Sequence, residues 1–146
     1  MVTPAGRLGL PKGARILRPA DFARIYERRC STASGPLVLY AAPRLEPTGD
    51  SRVGLSVSRR IGNAVVRNRW KRRLREAFRQ VRHRLPPATD YVIVVRGGDP
   101  GTGAEAARRA ESVIEALAAR VTGRPGYPAP PQPPSDGRGP QRRRGR

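Results

Sequence analysis

The sequence predicts an α+β fold, a single-domain α/β sandwich built on one sheet. Three observations carry this expectation. Residues 36–42, 51–58 and 90–95 have strand character. Residues 19–28, 63–85 and 103–121 space their apolar side chains at helical intervals. The resulting order is helix, two or three strands, helix, strand, helix, which fits two layers around one core.

Residues 1–17 carry Gly, Pro and Arg without periodicity, and they are expected to form an extended basic arm with 1–13 outside the domain. A helix is predicted from Pro19 to Arg28, since proline is tolerated in a first turn and Asp21 suits the positive helix N-terminus. Phe22, Ile25 and Tyr26 stand at i, i+3 and i+4 and so share a face. Cys30 to Ala33 is a weak strand candidate. Pro36 to Ala42 is a stronger one, closed by the turn-rich segment Pro43 to Asp50. From Ser51 to Ser58, Val53, Leu55 and Val57 alternate with Arg52, Gly54 and Ser56.

The long helix from Asn63 to Leu85 is marked by Trp70, Leu74, Ala77, Phe78, Val81 and Leu85, and Pro86-Pro87 stops it. Asp90 to Val95 is continuously apolar after its first residue, which predicts a central strand. The last helix, Gly103 to Val121, has a capping box in Thr102 and Glu105 and buries Ala110, Val113, Ile114, Leu117 and Val121. Its charges are balanced, so it reads as structural. Residues 122–146 are Pro, Gly and Arg with almost nothing apolar, the composition of a disordered tail. The domain is therefore placed at 14–121.

Charge decides the class of partner. The formal net charge is +19, and arginine outnumbers lysine 28 to 2. Such a balance is extreme for an enzyme of small metabolites and fits life against a polyanion. Arginine forks onto phosphate and stacks on bases, although a GC-rich genome also enriches its codons. No run approaches the ~20 apolar residues of a spanning helix. The first fifteen residues lack a continuous apolar stretch, so no signal peptide is read. Cys30 is the one cysteine, which fits a reducing compartment. A soluble, cytoplasmic protein is expected.

Between Arg59 and Arg84 there are eleven Lys or Arg and one acid, Glu76. Arg69, Arg72, Arg75, Arg79 and Arg82 fall at steps of three or four, opposite the Leu74–Phe78–Val81 face. Surface helices interleave signs because like charges one turn apart cost about 0.2–0.5 kcal/mol per pair. Leaving so many uncompensated implies that a partner supplies the anions. The apolar stripe is too narrow to serve a membrane as well as the core. A DNA recognition helix belongs in a compact helical motif, whereas this one lies between strands. RNA is the better match. Arg67 projects nearer the apolar side, so either the helix begins later or this side chain reaches out of the first turn. Asn68 can fix a neighbouring arginine or a backbone turn, or simply start the helix.

Catalytic groups are sparse. Glu76 is alone on its helix, and Asp21, Asp50, Asp90 and Asp99 lie at element ends. His83 is the only histidine, which rules out a two-histidine acid–base scheme, and is expected to face solvent. Cys30 reads as a small buried residue. Gly97-Gly98-Asp99-Pro100-Gly101 is a turn without the lysine or spacing of a nucleotide loop. No catalytic residue and no metal ligand set is predicted.

The block from Arg52 to Phe78, RVGLSVSRRIGNAVVRNRWKRRLREAF, closely resembles the bacterial ribonuclease P protein subunit family, whose RNR signature is matched by Arg67-Asn68-Arg69. The resemblance extends from Asp21-Phe22, Tyr26 and Leu37–Tyr40 to Asp90–Val94, over about residues 14–121. It implies the order αβββαβα, one four-stranded mixed sheet and a left-handed βαβ crossover around the basic helix, against the usual hand. It implies the non-catalytic protein subunit of a ribonucleoprotein in which RNA is the catalyst, uses Mg²⁺ and cleaves the 5′ leader from precursor tRNA. The catalytic RNA and precursor tRNA would be the partners, with no membrane and no obligate protein partner.

Carried over by position, Arg67, Asn68, Arg69, Lys71, Arg72 and Arg75 would contact the RNA subunit. Phe22, Tyr26 and Tyr40 would line the leader cleft, bordered by Ser56, Arg59 and Arg60. Aromatics beside cations also make a stacking platform for single-stranded RNA on physical grounds. The alternative is that these aromatics are core. Departures from the family are Trp70 for Ile or Leu, Arg73 for an apolar residue, Leu37 for Phe, and Arg59-Arg60 for a lysine pair. The rival readings are a structural RNA-binding protein indifferent to leaders and a self-sufficient nuclease.

Overall fold

A computed structural model of the chain describes residues 10–46, 50–124 and 127. Strands β1 (Ser31–Ser34), β2 (Leu37–Pro43), β3 (Arg52–Val57) and β4 (Thr89–Val95) form one sheet in the order β1-β2-β4-β3. The pairs β1/β2 and β2/β4 are antiparallel, and β3/β4 is parallel. Helices α1 (Pro19–Glu27), α2 (Ala64–Val81) and α3 (Gly103–Thr122) complete the αβββαβα order, with α2 crossing between the parallel strands. The continuous apolar run of β4 has its reason here. Paired on both sides and covered on both faces, it has no solvent-facing positions except at half-buried Val94.

The two faces of the sheet are unequally covered. Leu37, Leu39, Ala41, Val53, Tyr91, Ile93 and Val95 point to one side and form the main core with α2 and α3. Trp70, Leu74, Ala77, Phe78 and Val81 supply the α2 stripe, and Ile114, Leu117, Ala118 and Val121 that of α3. The other face carries Tyr40, Ala42, Val92, Val94, Gly54 and Ser56, paired across strands as Tyr40 with Val92 and Ser56 with Val94. The nine residues of α1 lie over it through Ile25, joined by Ile16 of the preceding segment. Much of that face stays half-open.

Three expectations need correction. Residues 10–17 are no extended arm: Leu10, Ala14 and Ile16 are buried, Lys12–Ala14 forms a 3-10 turn, and Ile16 N–H donates to Val53 O at 2.9 Å. Their burial in an irregular path follows neither a strand nor a helix period, so periodicity could not mark them. The predicted arm at 1–9 lies outside the described residues. Next, the Thr102–Glu105 capping box is not made, although Thr102 is the residue before α3. Gly103 takes φ +84°, outside helical geometry, where the box needs a regular first turn. Finally, the long helix starts as expected, capped by Asn63, whose Oδ1 accepts from Val66 N–H at 3.0 Å, but its last predicted turn is the 3-10 segment Arg82–Arg84.

Among the predicted tail residues, Thr122 closes α3 and Tyr127 packs against the main core, where burial pushes its hydroxyl up to about 12. Residues 125–126 and 128–146 lie outside the described residues. Near them, Arg120 and Arg124 reach the sheet edge and donate to the carbonyls of Ala33 and Ser31 on β1. Among the described residues, no helix is long and apolar enough to cross a membrane.

Candidate nucleic-acid interface

Two surfaces meet along the N-terminal half of α2. The first is cationic. Arg59 and Arg60 stand exposed in the 3-10 turn that leads from β3 to α2. Arg67 reaches back over the first turn and donates from Nε to Gly62 O at 3.2 Å, which settles the direction of a side chain that a helical wheel points inward. Asn68 is exposed and makes no side-chain hydrogen bond to another described residue. Neither fixing a neighbour nor starting the helix describes it, since Asn63 is the cap. Its amide is left facing outward beside exposed Arg72.

Not every cation of the helix belongs to this surface. Arg79 is bound to Glu76 at 2.5 Å, and Arg82 donates to Ser51 O at 3.2 Å and pairs with Asp50 at 3.5 Å. The expected outward stripe therefore ends near Arg75, because the last turns run beside the start of β3 and its own acids. The bound Arg79, seconded by Gln80, holds the Glu76 carboxyl below its ordinary range. Arg69 pairs with Asp99 at 3.6 Å, with both side chains well exposed. Trp70 Nε1 donates to Gly98 O and Arg73 to Gly101 O, both at 3.1 Å. Trp70 and Arg73, two of the departures from the family pattern, thus fasten the 97–101 turn to the flank of α2.

The second surface is aromatic. Phe22 and Tyr26 from α1 lie with ring centroids 6.3 Å apart, and Tyr26 meets Tyr40 of β2 edge-on at 4.9 Å. All three are half-buried: their inner edges cover Ile25, Ala42 and Val92, and their outer edges remain accessible. They serve the small core and a surface at once. Ser56 and Val94 continue the same sheet face toward Arg59 and Arg60. Of the predicted residues, then, Phe22, Tyr26, Tyr40 and Ser56 share a groove floor. Lys71 and Arg75 join Phe22 along one cleft of about 230 Å³, and Asn68 and Arg72 line the next with the same two cations.

Sequence reading missed what holds this groove open. A side chain at Gly54 would stand 2.7 Å from Phe22 Cζ and 3.2 Å from Ile16 Cβ, so the bare backbone is the bed on which the ring lies. The signal was available as a glycine on the open face of an alternating strand. Gly54→Ala is expected to cost about 1–3 kcal/mol through overpacking. Urea denaturation checks it, and an unchanged midpoint would contradict the close packing. Beneath α1, the fully buried Asp90 accepts from Arg24 Nη2 at 2.5 Å and from Arg52 Nε and Nη2 at 2.7 and 2.8 Å. The Asp90 carboxylate, through these hydrogen bonds, raises the Arg52 guanidinium above its ordinary value.

Among the described residues no three His, Cys, Asp or Glu side chains gather as a metal site, and His83 is exposed. The cationic half of α2 thus runs into a half-open aromatic sheet face. Residues 10–118 match the Ribonuclease P family model, and the chain belongs to that family. It is 41% identical to the ribonuclease P protein component of Shouchella clausii over 87 residues, covering 60% of this chain and 70% of the relative. The component of Desulfovibrio desulfuricans is 36% identical over 120 residues, covering 82% and 92%. Among solved structures, a mutant Staphylococcus aureus RNase P protein with defective mRNA degradation activity superposes with TM-score 0.63 at 30% identity, covering 76% of this chain and 90% of that one.

Proposed function

We propose that this chain is the protein subunit of ribonuclease P, acting in the cytoplasm on the 5′ leader of precursor tRNA. The catalytic RNA would seat on the α2 face through Arg67, Asn68, Arg69, Lys71, Arg72 and Arg75. The leader would lie over Phe22, Tyr26 and Tyr40, with Ser56, Arg59 and Arg60 at its border. The observation that carries this reading is the continuity of the two surfaces through Lys71 and Arg75, within a family match that spans the domain.

The role is positioning. Cations where two RNAs meet lower the repulsion between their backbones, and aromatic edges take up bases without demanding a sequence. In this reading the metal and the bond-breaking chemistry belong to the RNA. Cleavage of precursor tRNA by a bacterial ribonuclease P RNA, with and without the purified chain at low Mg²⁺, tests the reading. The chain is expected to accelerate cleavage of the precursor and to bind mature tRNA no more tightly. Equal activity with and without it would overturn the proposal, and cleavage by protein alone would favour a self-sufficient nuclease.

A further inference from the structure

Residues 97–101 belong to neither the cationic nor the aromatic surface, yet they are fixed on the flank of α2. Trp70 and Arg73 hold the carbonyls of Gly98 and Gly101. Gly101, at φ +77°, lies so close to α3 that a Cβ there would stand 3.0 Å from Ala106 Cβ. Asp99 sits between these anchors, and its Oδ1 accepts from Gly101 N–H at 2.7 Å. The turn thus presents one carboxylate from a rigid frame.

That carboxylate faces the second arginine of the Arg67-Asn68-Arg69 signature. Asp99 Oδ1 lies 3.6 Å from Arg69 Nη2, with the two side chains 68% and 40% exposed. Among the described residues, Arg69 alone of Arg67, Arg69, Lys71, Arg72 and Arg75 is paired with a carboxylate. The contact is end-on and longer than a hydrogen bond, and an exposed pair of that kind is weak and exchangeable.

Two kinds of RNA contact would meet Arg69 differently. A loose, mobile encounter depends on the net charge of the surface, and Asp99 cancels one cation of it. A phosphate docked in register offers two oxygens to the fork of the guanidinium, a stronger partner than one end-on carboxylate oxygen. The first leaves the pair intact, and the second exchanges it.

We infer that Asp99 is a specificity-determining residue: it masks Arg69 against loosely held RNA and yields it to a phosphate docked on α2. This deepens the functional reading above and rests on it for the contact between Arg69 and RNA.

The test compares the full-length wild type with Asp99→Asn, which removes the charge and keeps an oxygen for the Gly101 N–H. The probes are poly(U) and a bacterial ribonuclease P RNA. With poly(U), Asp99→Asn is expected to bind about two- to fivefold more tightly and to steepen the slope of log affinity against log salt by about 0.7 or less. With the ribonuclease P RNA the gain should be smaller, so the ratio of the two affinities falls. Asp99→Glu, which keeps the charge, should stay near the wild type on both. In an Arg69→Gln background the poly(U) gain should vanish, since nothing remains to unmask. A gain in affinity is a result that damage to the fold would not produce.

An Asp99→Asn chain that binds poly(U) no more tightly overturns the mask. So does a gain of equal size without Arg69, which would make Asp99 a plain repulsive charge. Weakened binding of the ribonuclease P RNA would make Asp99 an aid to Arg69, and an unchanged ratio would remove its part in specificity; either overturns the inference. The functional reading fails separately. If the chain does not accelerate precursor cleavage while Asp99→Asn still tightens poly(U) through Arg69, that reading falls and the mask stands.

Discussion

Asp90→Ala is expected to destabilise the domain by about 3–5 kcal/mol, the range for removing one partner of a buried ion pair. The carboxylate is fully buried and binds two guanidiniums, Arg52 in the two-pronged geometry and Arg24 end-on. Without it, both arginines would share only Asp21, at 3.5 Å from Arg24 and 4.0 Å from Arg52. Two part-buried cations would then face each other under a helix whose own apolar contacts with the sheet are few. Because Arg24 belongs to α1 and also donates to Pro43 O at 3.2 Å, the same loss loosens the wall of the aromatic groove. Urea denaturation of Asp90→Ala and Asp90→Asn measures the effect. A change under about 1 kcal/mol, the scale of an exposed pair, would mean the site is wetter than its geometry indicates.

Tyr40→Ala should weaken binding of leader-bearing precursor by about 1–3 kcal/mol, the worth of one base stacked on an aromatic ring. Mature tRNA, which lacks the leader, should be unaffected. Tyr40 rises from the middle of β2 on the open face, and Tyr26 props it edge-on, so its outer edge is presented by a rigid strand. Tyr40→Phe retains the ring and should retain most of the affinity. Equilibrium binding of the holoenzyme to precursor and mature tRNA separates the outcomes. Equal losses on both would make Tyr40 a core residue only, and the groove would have to be placed elsewhere.

How much of this was legible in the sequence depends on whether the signal is local. The stripe of α2 and the run of β4 declare themselves within a few residues, since burial on one or both faces writes its period directly into the chain. Strand β1 did so weakly, because Ser31-Thr32-Ala33-Ser34 is a half-buried edge with no face to fill. Asp90 looked like an aspartate at the start of a strand. Its partners lie 38 and 66 residues away, and nothing nearby foretells them. The RNR positions were visible through family resemblance, whereas the split of α2 into a facing half and a self-paired half required the acids of other elements to be in place.

The arginines at the β1 edge bear on how the chain meets other copies of itself. A sheet edge with free carbonyls is a template on which a second chain can add a strand. Here Arg120 and Arg124 occupy the carbonyls of Ala33 and Ser31, and the opposite side of the sheet is flanked at Val53 by the 10–17 segment. A newly made copy therefore offers its neighbours few backbone groups to pair with and a surface of the same sign as their own. The net charge of +19 adds mutual repulsion, so the covered sheet edge and the surface charge act together against self-association.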